Sequence, residues 1–153
     1  MNQELVTQLL EDALKENQAL FLIDLSFLPG NKIRIIVDGD TGISLEECIR
    51  LNKAIEHNLD REEEDFSLEV TSPDIAEPLK VQRQYQKNLK RILTVKTNDA
   101  KLEGALIGIT EQGITLRWKA REPKPIGKGK VTVEKTAELL FTEIREAKVK
   151  IIF

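Results

Sequence analysis

Two prolines stand five positions apart in the stretch LEVTSPDIAEPL, residues 68–79, near the middle of a 153-residue chain. Proline has no backbone N–H and biases the residue before it toward extended geometry. Neither a helix nor a central strand runs comfortably through both. The stretch opens as a strand, stops at Ser72-Pro73, and passes Pro78-Leu79 into a run rich in Lys and Arg. It reads as a short, semi-rigid linker over 73–79, between one domain at 1–72 and a second at 80–153.

The same boundary divides the charge. Residues 1–72 hold 6 Lys and Arg against 16 Asp and Glu, a balance of −10. Residues 73–153 hold 17 against 10, a balance of +7, and the whole chain is −3. Such a split points to a highly charged partner that one half seeks and the other avoids. Unevenly scattered surface charge is the plainer reading. With 41% apolar and 32% charged residues the composition is that of a globular chain. No apolar run approaches the ~20 residues that cross a bilayer. The start, MNQELVTQLLEDALKEN, is acidic and amphipathic rather than signal-like. One cysteine, Cys48, leaves no internal disulfide framework, and a soluble cytoplasmic monomer is the expectation.

The first half has mixed periodicity. Val6, Leu9, Leu10, Ala13 and Leu14 fall on one helical face. FLIDLSFL alternates Phe21, Ile23, Leu25 and Phe27 on one side of a strand, and Pro29-Gly30-Asn31 turns it into KIRIIVD. Ser44 and Glu47 have capping-box spacing before a helix whose apolar side is Leu45, Cys48, Ile49, Ile55 and Leu59. After the acidic REEED comes the strand FSLEVT. The order α-β-β-α-β predicts two helices covering one face of a three-stranded sheet, an α+β class.

The second half reads as strands. LKRILTVKT, KLEGALIGIT and GITLRWK are short and strand-like. Glu111-Gln112-Gly113 joins the last two, where a glycine at positive φ suits a hairpin. A looser segment, AREPKPIGKGK, separates them from VTVEKTAELLF and the closing EIREAKVKIIF. Several short strands in so few residues predict a small closed β-barrel.

No active site assembles from these residues. His57, the one histidine, has no ligand partner at metal spacing, and Cys48 lies on an apolar helix side without an adjacent base. Asp38 and Asp40 around Gly39 fit a turn, and Glu62–Asp65 fits a solvated connection better than a cation site. GKGK at 127–130 lacks the phosphate-loop pattern and its strand–helix setting. No catalytic residue, metal or cofactor is expected. What remains is basic: Arg117, Lys119, Arg121, Lys124, Lys128 and Lys130 around Trp118, and Lys80, Arg83, Lys87, Lys90 and Arg91 around Tyr85. Such groups bind nucleic acid through phosphate attraction, with stacking where an aromatic is exposed. Trp118 as core and the lysines as solvating charge is the alternative.

IRIIVDGDTGISLEECIRLNKAIEHNLD followed by FSLEVTSPDIAEPL resembles the bacterial RimP family of ribosome maturation factors. Asp38, Gly42, Ile43 and Ser44 match its earlier motif. Leu68, Glu69, Val70, Ser72, Pro73, Pro78 and Leu79 match its signature. Asp74 stands where the family usually has Gly, Ala76-Glu77 replaces Asp-Arg, and Asn88 stands in place of the Gly common before the first barrel strand. The resemblance implies a non-enzymatic assembly factor for the small (30S) ribosomal subunit. In the family an α/β domain precedes an Sm-like barrel, and the barrel contacts a ribosomal protein, with ribosomal RNA secondary. The candidate contact residues are then Lys87, Lys90, Arg91, Arg117, Lys119, Arg121, Lys124, Lys128 and Lys130. A free-standing Sm-like RNA-binding regulator is the competing expectation.

Overall fold

The computed structural model describes residues 2–151. It divides the chain into two compact units, Met1–Asp74 and Ile75–Phe153. The first runs α1 (Gln3–Lys15), β1 (Leu20–Leu28), β2 (Lys32–Gly39), α2 (Leu45–Glu56) and β3 (Ser67–Thr71). β1 and β2 form the expected hairpin, turning through Gly30 and Asn31, both at positive φ. β3 pairs parallel to β2, so α2 is the crossover that returns the chain to the same sheet.

Both helices cover one sheet face. Val6, Leu10 and Ala13 of α1 and Leu51 and Ile55 of α2 close over Ile33, Ile35 and Val37, alternate residues of β2. Arg50 locks the two helices together. Its guanidinium donates to the Ala13 carbonyl (3.0 Å), to Glu16 (2.8 Å) and to Glu47 (2.9 Å).

Three details depart from expectation. Ser44 caps α2 by accepting from the Glu47 N–H (3.1 Å), but the Glu47 carboxylate turns to Arg50, so the reciprocal half of the box is absent. In β1, Ile23 is an extra residue between the pairs Leu22–Val37 and Asp24–Ile36. That bulge exchanges the faces, and Leu20 and Leu22, not Phe21 and Ile23, share the core with Leu25 and Phe27. On α2, Leu45 is 76% and Ile49 45% exposed, so the core side is narrower than the apolar spacing suggests.

The second unit begins with an element the pattern did not reveal, α3 (Gln82–Lys87). β4 (Ile92–Thr97), β5 (Lys101–Ile109), β6 (Gly113–Pro123), β7 (Lys130–Leu140), a 3-10 turn (Phe141–Glu143) and β8 (Ile144–Val149) follow. They make one antiparallel sheet in the order β7-β6-β5-β4-β8. The sheet is open, with β7 and β8 as its edges, where the strand pattern predicted a closed barrel. The expected last strand extends into Ile152 and Phe153, which lie outside the described residues.

Leu93, Val95, Leu106, Ile114, Leu116, Leu139 and Ala147 form its core with Tyr85. Gly113 is needed for a different reason from the one its hairpin suggests. It lies in β6 at ordinary φ, and a Cβ there would overlap the Leu139 carbonyl oxygen. Lys90, not Asn88, takes the left-handed position before β4, at φ 75°. Asn88 is buried and donates to the Gln84 carbonyl (2.7 Å), closing the end of α3. Leu79 already belongs to this unit. Its N–H donates to the Ala147 carbonyl (2.7 Å), and its side chain packs on the core.

Candidate nucleic-acid interface

The segment that looked like a loose loop, residues 120–130, is strand at both its ends. β6 and β7 pair from Gly113–Leu140 out to Pro123–Lys130, leaving only residues 124–129 as the turn. Gly127 and Gly129 supply positive φ there, and the Lys124 N–H donates to the Gly129 carbonyl (3.2 Å). β5 accompanies β6 only as far as the pair Ala105–Arg117. Beyond it β6 and β7 continue as a two-stranded arm in which no residue from Arg117 to Thr136 is buried.

Strand alternation sorts the arm into two faces. Arg117, Lys119 and Arg121 point to one side, opposite Thr136, Glu134 and Thr132, with Lys130 facing Pro123. Same-face neighbours along a strand lie ~7 Å apart, so these cations form a spaced row rather than a cluster. One carboxylate, Glu134, shares that face and pairs with Arg117 at 3.4 Å. Arg121 is braced across the ladder, donating to the Thr132 hydroxyl (3.0 Å) and the Lys130 carbonyl (3.4 Å). Lys124 and Lys128 lie in the turn at the end of the arm. The opposite face continues the core outward through Trp118, Ala120, Val133 and Val131, and carries the Lys135–Glu122 ion pair.

The remaining candidates sit elsewhere in the same unit. Lys90 and Arg91 are fixed by the Leu106 backbone, which accepts from the Lys90 N–H (2.7 Å) and donates to the Arg91 carbonyl (2.9 Å). Leu106 pairs with Leu116, so Lys90 and Arg91 lie about two strand spacings, ~10 Å, from the base of the arm. Lys87 closes the last turn of α3 and is half-buried. The structure thus gathers Arg117, Lys119, Arg121, Lys124, Lys128 and Lys130 on one arm and leaves Lys87, Lys90 and Arg91 as a second group.

Neither aromatic expected near these cations is fully exposed. Tyr85 is buried, meets Phe141 edge-on at 5.2 Å between ring centroids, and has its phenol pushed up by burial. Trp118 is half-buried over Gly104, where a Cβ would press on the indole at 3.3 Å. The surface is therefore electrostatic.

Asp38 is buried and its carboxylate accepts from the Gly39 N–H (2.9 Å), while Gly39 leaves room for the Gly42 carbonyl. The pair Asp38 and Asp40 thus builds the turn before α2. Cys48 is half-buried, and its thiol is pushed up by burial and then by Glu47, the reverse of an activated nucleophile. Among the described residues no three His, Cys, Asp or Glu side chains gather as metal ligands. No helix among them is long and apolar enough to cross a membrane.

A family model described as RimP N-terminal domain matches residues 9–76, the greater part of the first unit. The ribosome maturation factor RimP of Christiangramia forsetii is 55% identical over 153 residues, covering all of this chain and all of that protein. The chain belongs to the RimP family. The RimP of Flavobacterium psychrophilum is 48% identical over 151 residues, 99% of this chain and 98% of its own. That of Porphyromonas gingivalis strain ATCC 33277 is 33% identical over 149 residues, 96% and 97% of the two chains. The RimP likeness therefore spans both units, including the arm.

Proposed function

We propose that this RimP-family chain is a ribosome maturation factor of the cytoplasm, acting as a monomer on the immature small subunit without catalysis. The second unit meets a ribosomal protein first and ribosomal RNA second. The observation that carries the RNA contact is the row Arg117, Lys119, Arg121 and Lys130 on one face of the β6–β7 arm, opposed by Glu134 alone. Lys124 and Lys128 add charge at the tip of the arm, and Lys87, Lys90 and Arg91 are the second candidate group. The names of the full-length relatives supply the biological setting.

The finer fold reading, an Sm-like barrel, has a geometric support. Laid flat, five strands would put β7 and β8 ~19 Å apart. The turn Phe141–Glu143 that joins them holds three residues, and even fully extended the step from Leu140 to Ile144 spans only ~14 Å. The sheet must curl to bring those edges together, as a small barrel does. That curvature equally suits the competing reading, a free-standing Sm-like RNA regulator. Co-sedimentation with immature small subunits and with naked ribosomal RNA separates them. An assembly factor prefers the particle, and equal or tighter binding to naked RNA would favour the regulator.

A further inference from the structure

The sheet of the first unit ends at β3. The Ser67 N–H donates to the Asn31 carbonyl (3.1 Å), so Ser67, Glu69 and Thr71 direct their backbone groups to β2. Alternation then turns the N–H and C=O groups of Leu68 and Val70 to the open side. The side chains of Leu68 and Val70 face the helix layer, beside Ile33 and Ile35. Over that edge stands the part of α2 that finds no core, with Leu45 76% and Ile49 45% exposed. Leu45, Cys48, Ile49 and Val70 line a groove of about 340 Å³ between helix and strand. An open ladder roofed by an unpartnered apolar row is the geometry that an added strand completes. In the second unit the edge strand β7 is guarded by Lys130, Glu134, Lys135 and Glu138, the usual protection against such pairing. Only Glu69, paired with Arg34 at 3.6 Å, places a charge on β3.

Charge selects the occupant. Residues 1–72 carry −10. Where α2 passes into β3 the chain holds Asp60, Glu62, Glu63, Glu64 and Asp65, and the single cation among them, Arg61, is engaged by Glu56 and Asp65 at 3.1 Å. The groove lining also includes Lys53, Glu56 and His57, so the excess of negative charge comes from the Asp60–Asp65 end. We infer that the α2–β3 groove takes a basic, extended segment of a partner protein as a fourth strand on β3. Its apolar side chains pack beneath Leu45 and Ile49, and its Lys and Arg side chains lie toward Asp60–Asp65. Nucleic acid is repelled by this unit, and a second copy brings the same −10 to the contact. The inference rests on the assembly-factor reading only in that it gives the acidic unit a protein partner.

The test uses the full chain and a fluorescein-labelled ten-residue peptide alternating Val with Lys, so that failure here leaves the particle-binding experiment untouched. The Val/Lys peptide should raise the anisotropy saturably and slow amide exchange at Leu68 and Val70. A Val/Glu peptide should not bind. Ile49→Arg should weaken binding roughly tenfold or more, since it removes an apolar contact and adds a like charge. Leu45→Ser, at an exposed position that does not endanger the fold, should weaken it in the same direction. Binding that leaves exchange at Leu68 and Val70 unchanged, or that persists in both variants, would overturn the groove. Equal binding of the Val/Glu peptide would overturn the basic partner, and self-association abolished by Ile49→Arg would put a second copy there instead.

Discussion

The two units bury comparable apolar cores by opposite means, and their surfaces follow from that choice. In the first, α1 and α2 lie on one face of three strands, and the buried row Ile33, Ile35, Val37 needs no curvature. In the second, α3 has six residues against five strands, and the buried Leu93, Val95, Leu106 and Leu116 come from the sheet itself. Helices give the first unit outward faces where carboxylates accumulate. Strands give the second a long solvent-facing ladder, and there the cations fall into register. The contrast shows how one chain can carry −10 on one half and +7 on the other without placing the two surfaces on a single scaffold.

Core truncation tests the separateness of the units most strongly. Leu51→Ala and Leu106→Ala each remove a fully buried side chain and should cost about 2–5 kcal/mol. Trp118, the one tryptophan, reports on the second unit alone. In urea, Leu51→Ala should lower the far-UV circular dichroism midpoint of the first transition and leave the Trp118 fluorescence midpoint unmoved. Leu106→Ala should do the converse. A shift of both signals by either variant would break the comparison, because the units would then unfold as one.

A smaller effect sharpens where the division falls. A chain from Ile75 keeps the Leu79 bond to Ala147 and its packing, whereas one from Lys80 loses both. The shorter chain should be less stable by roughly 1–2 kcal/mol in urea titration. Equal stability would mean that Leu79 merely rests on the second unit.

The smallest effect is electrostatic. Glu146 is held below the usual carboxylate range by hydrogen bonds from Lys96 and then Lys148. Since the folded value is depressed, its contribution is present above the unfolded carboxylate pKa and is lost as pH falls through the folded one. Glu146→Gln should therefore flatten the acid limb of the second unit's stability slightly and leave the neutral region nearly unchanged. Because the group is half-buried at the surface and screened by solvent, a large neutral-pH loss would point to a packing role instead.

Much of the first unit was legible because its elements are half-buried and alternate at their natural periods. The Ile23 bulge was not, since a single extra residue leaves composition untouched and only reverses parity from Leu22 back. α3 escaped notice because one and a half turns carry no periodic stripe, and buried Gln84 and Asn88 hold it instead. Gln84 does so through its side-chain oxygen, which accepts from the Lys80 and Val81 N–H groups (2.6 and 3.1 Å). The outer end of the arm, residues 120–130, looked like a loop for a related reason. A ribbon with solvent on both sides needs no apolar alternation, and Pro123, Pro125, Gly127 and Gly129 dominate its tip. The basic residues were therefore visible as a count. That Arg117, Lys119 and Arg121 share a face with Lys130 depends on the β6–β7 register, which the sequence leaves unspecified.

The central claim is that the arm meets RNA while a ribosomal protein supplies most of the affinity. Affinity for immature small subunits, measured at several salt concentrations, tests it most directly when Arg121, Lys124, Lys128 and Lys130 are replaced together by Gln. These positions lie outside the core, so the fold should persist. The account predicts a partial loss of affinity and a shallower salt dependence, the log–log slope falling by about 0.7–0.9 for each phosphate contact removed. A variant with wild-type affinity and an unchanged slope would contradict it.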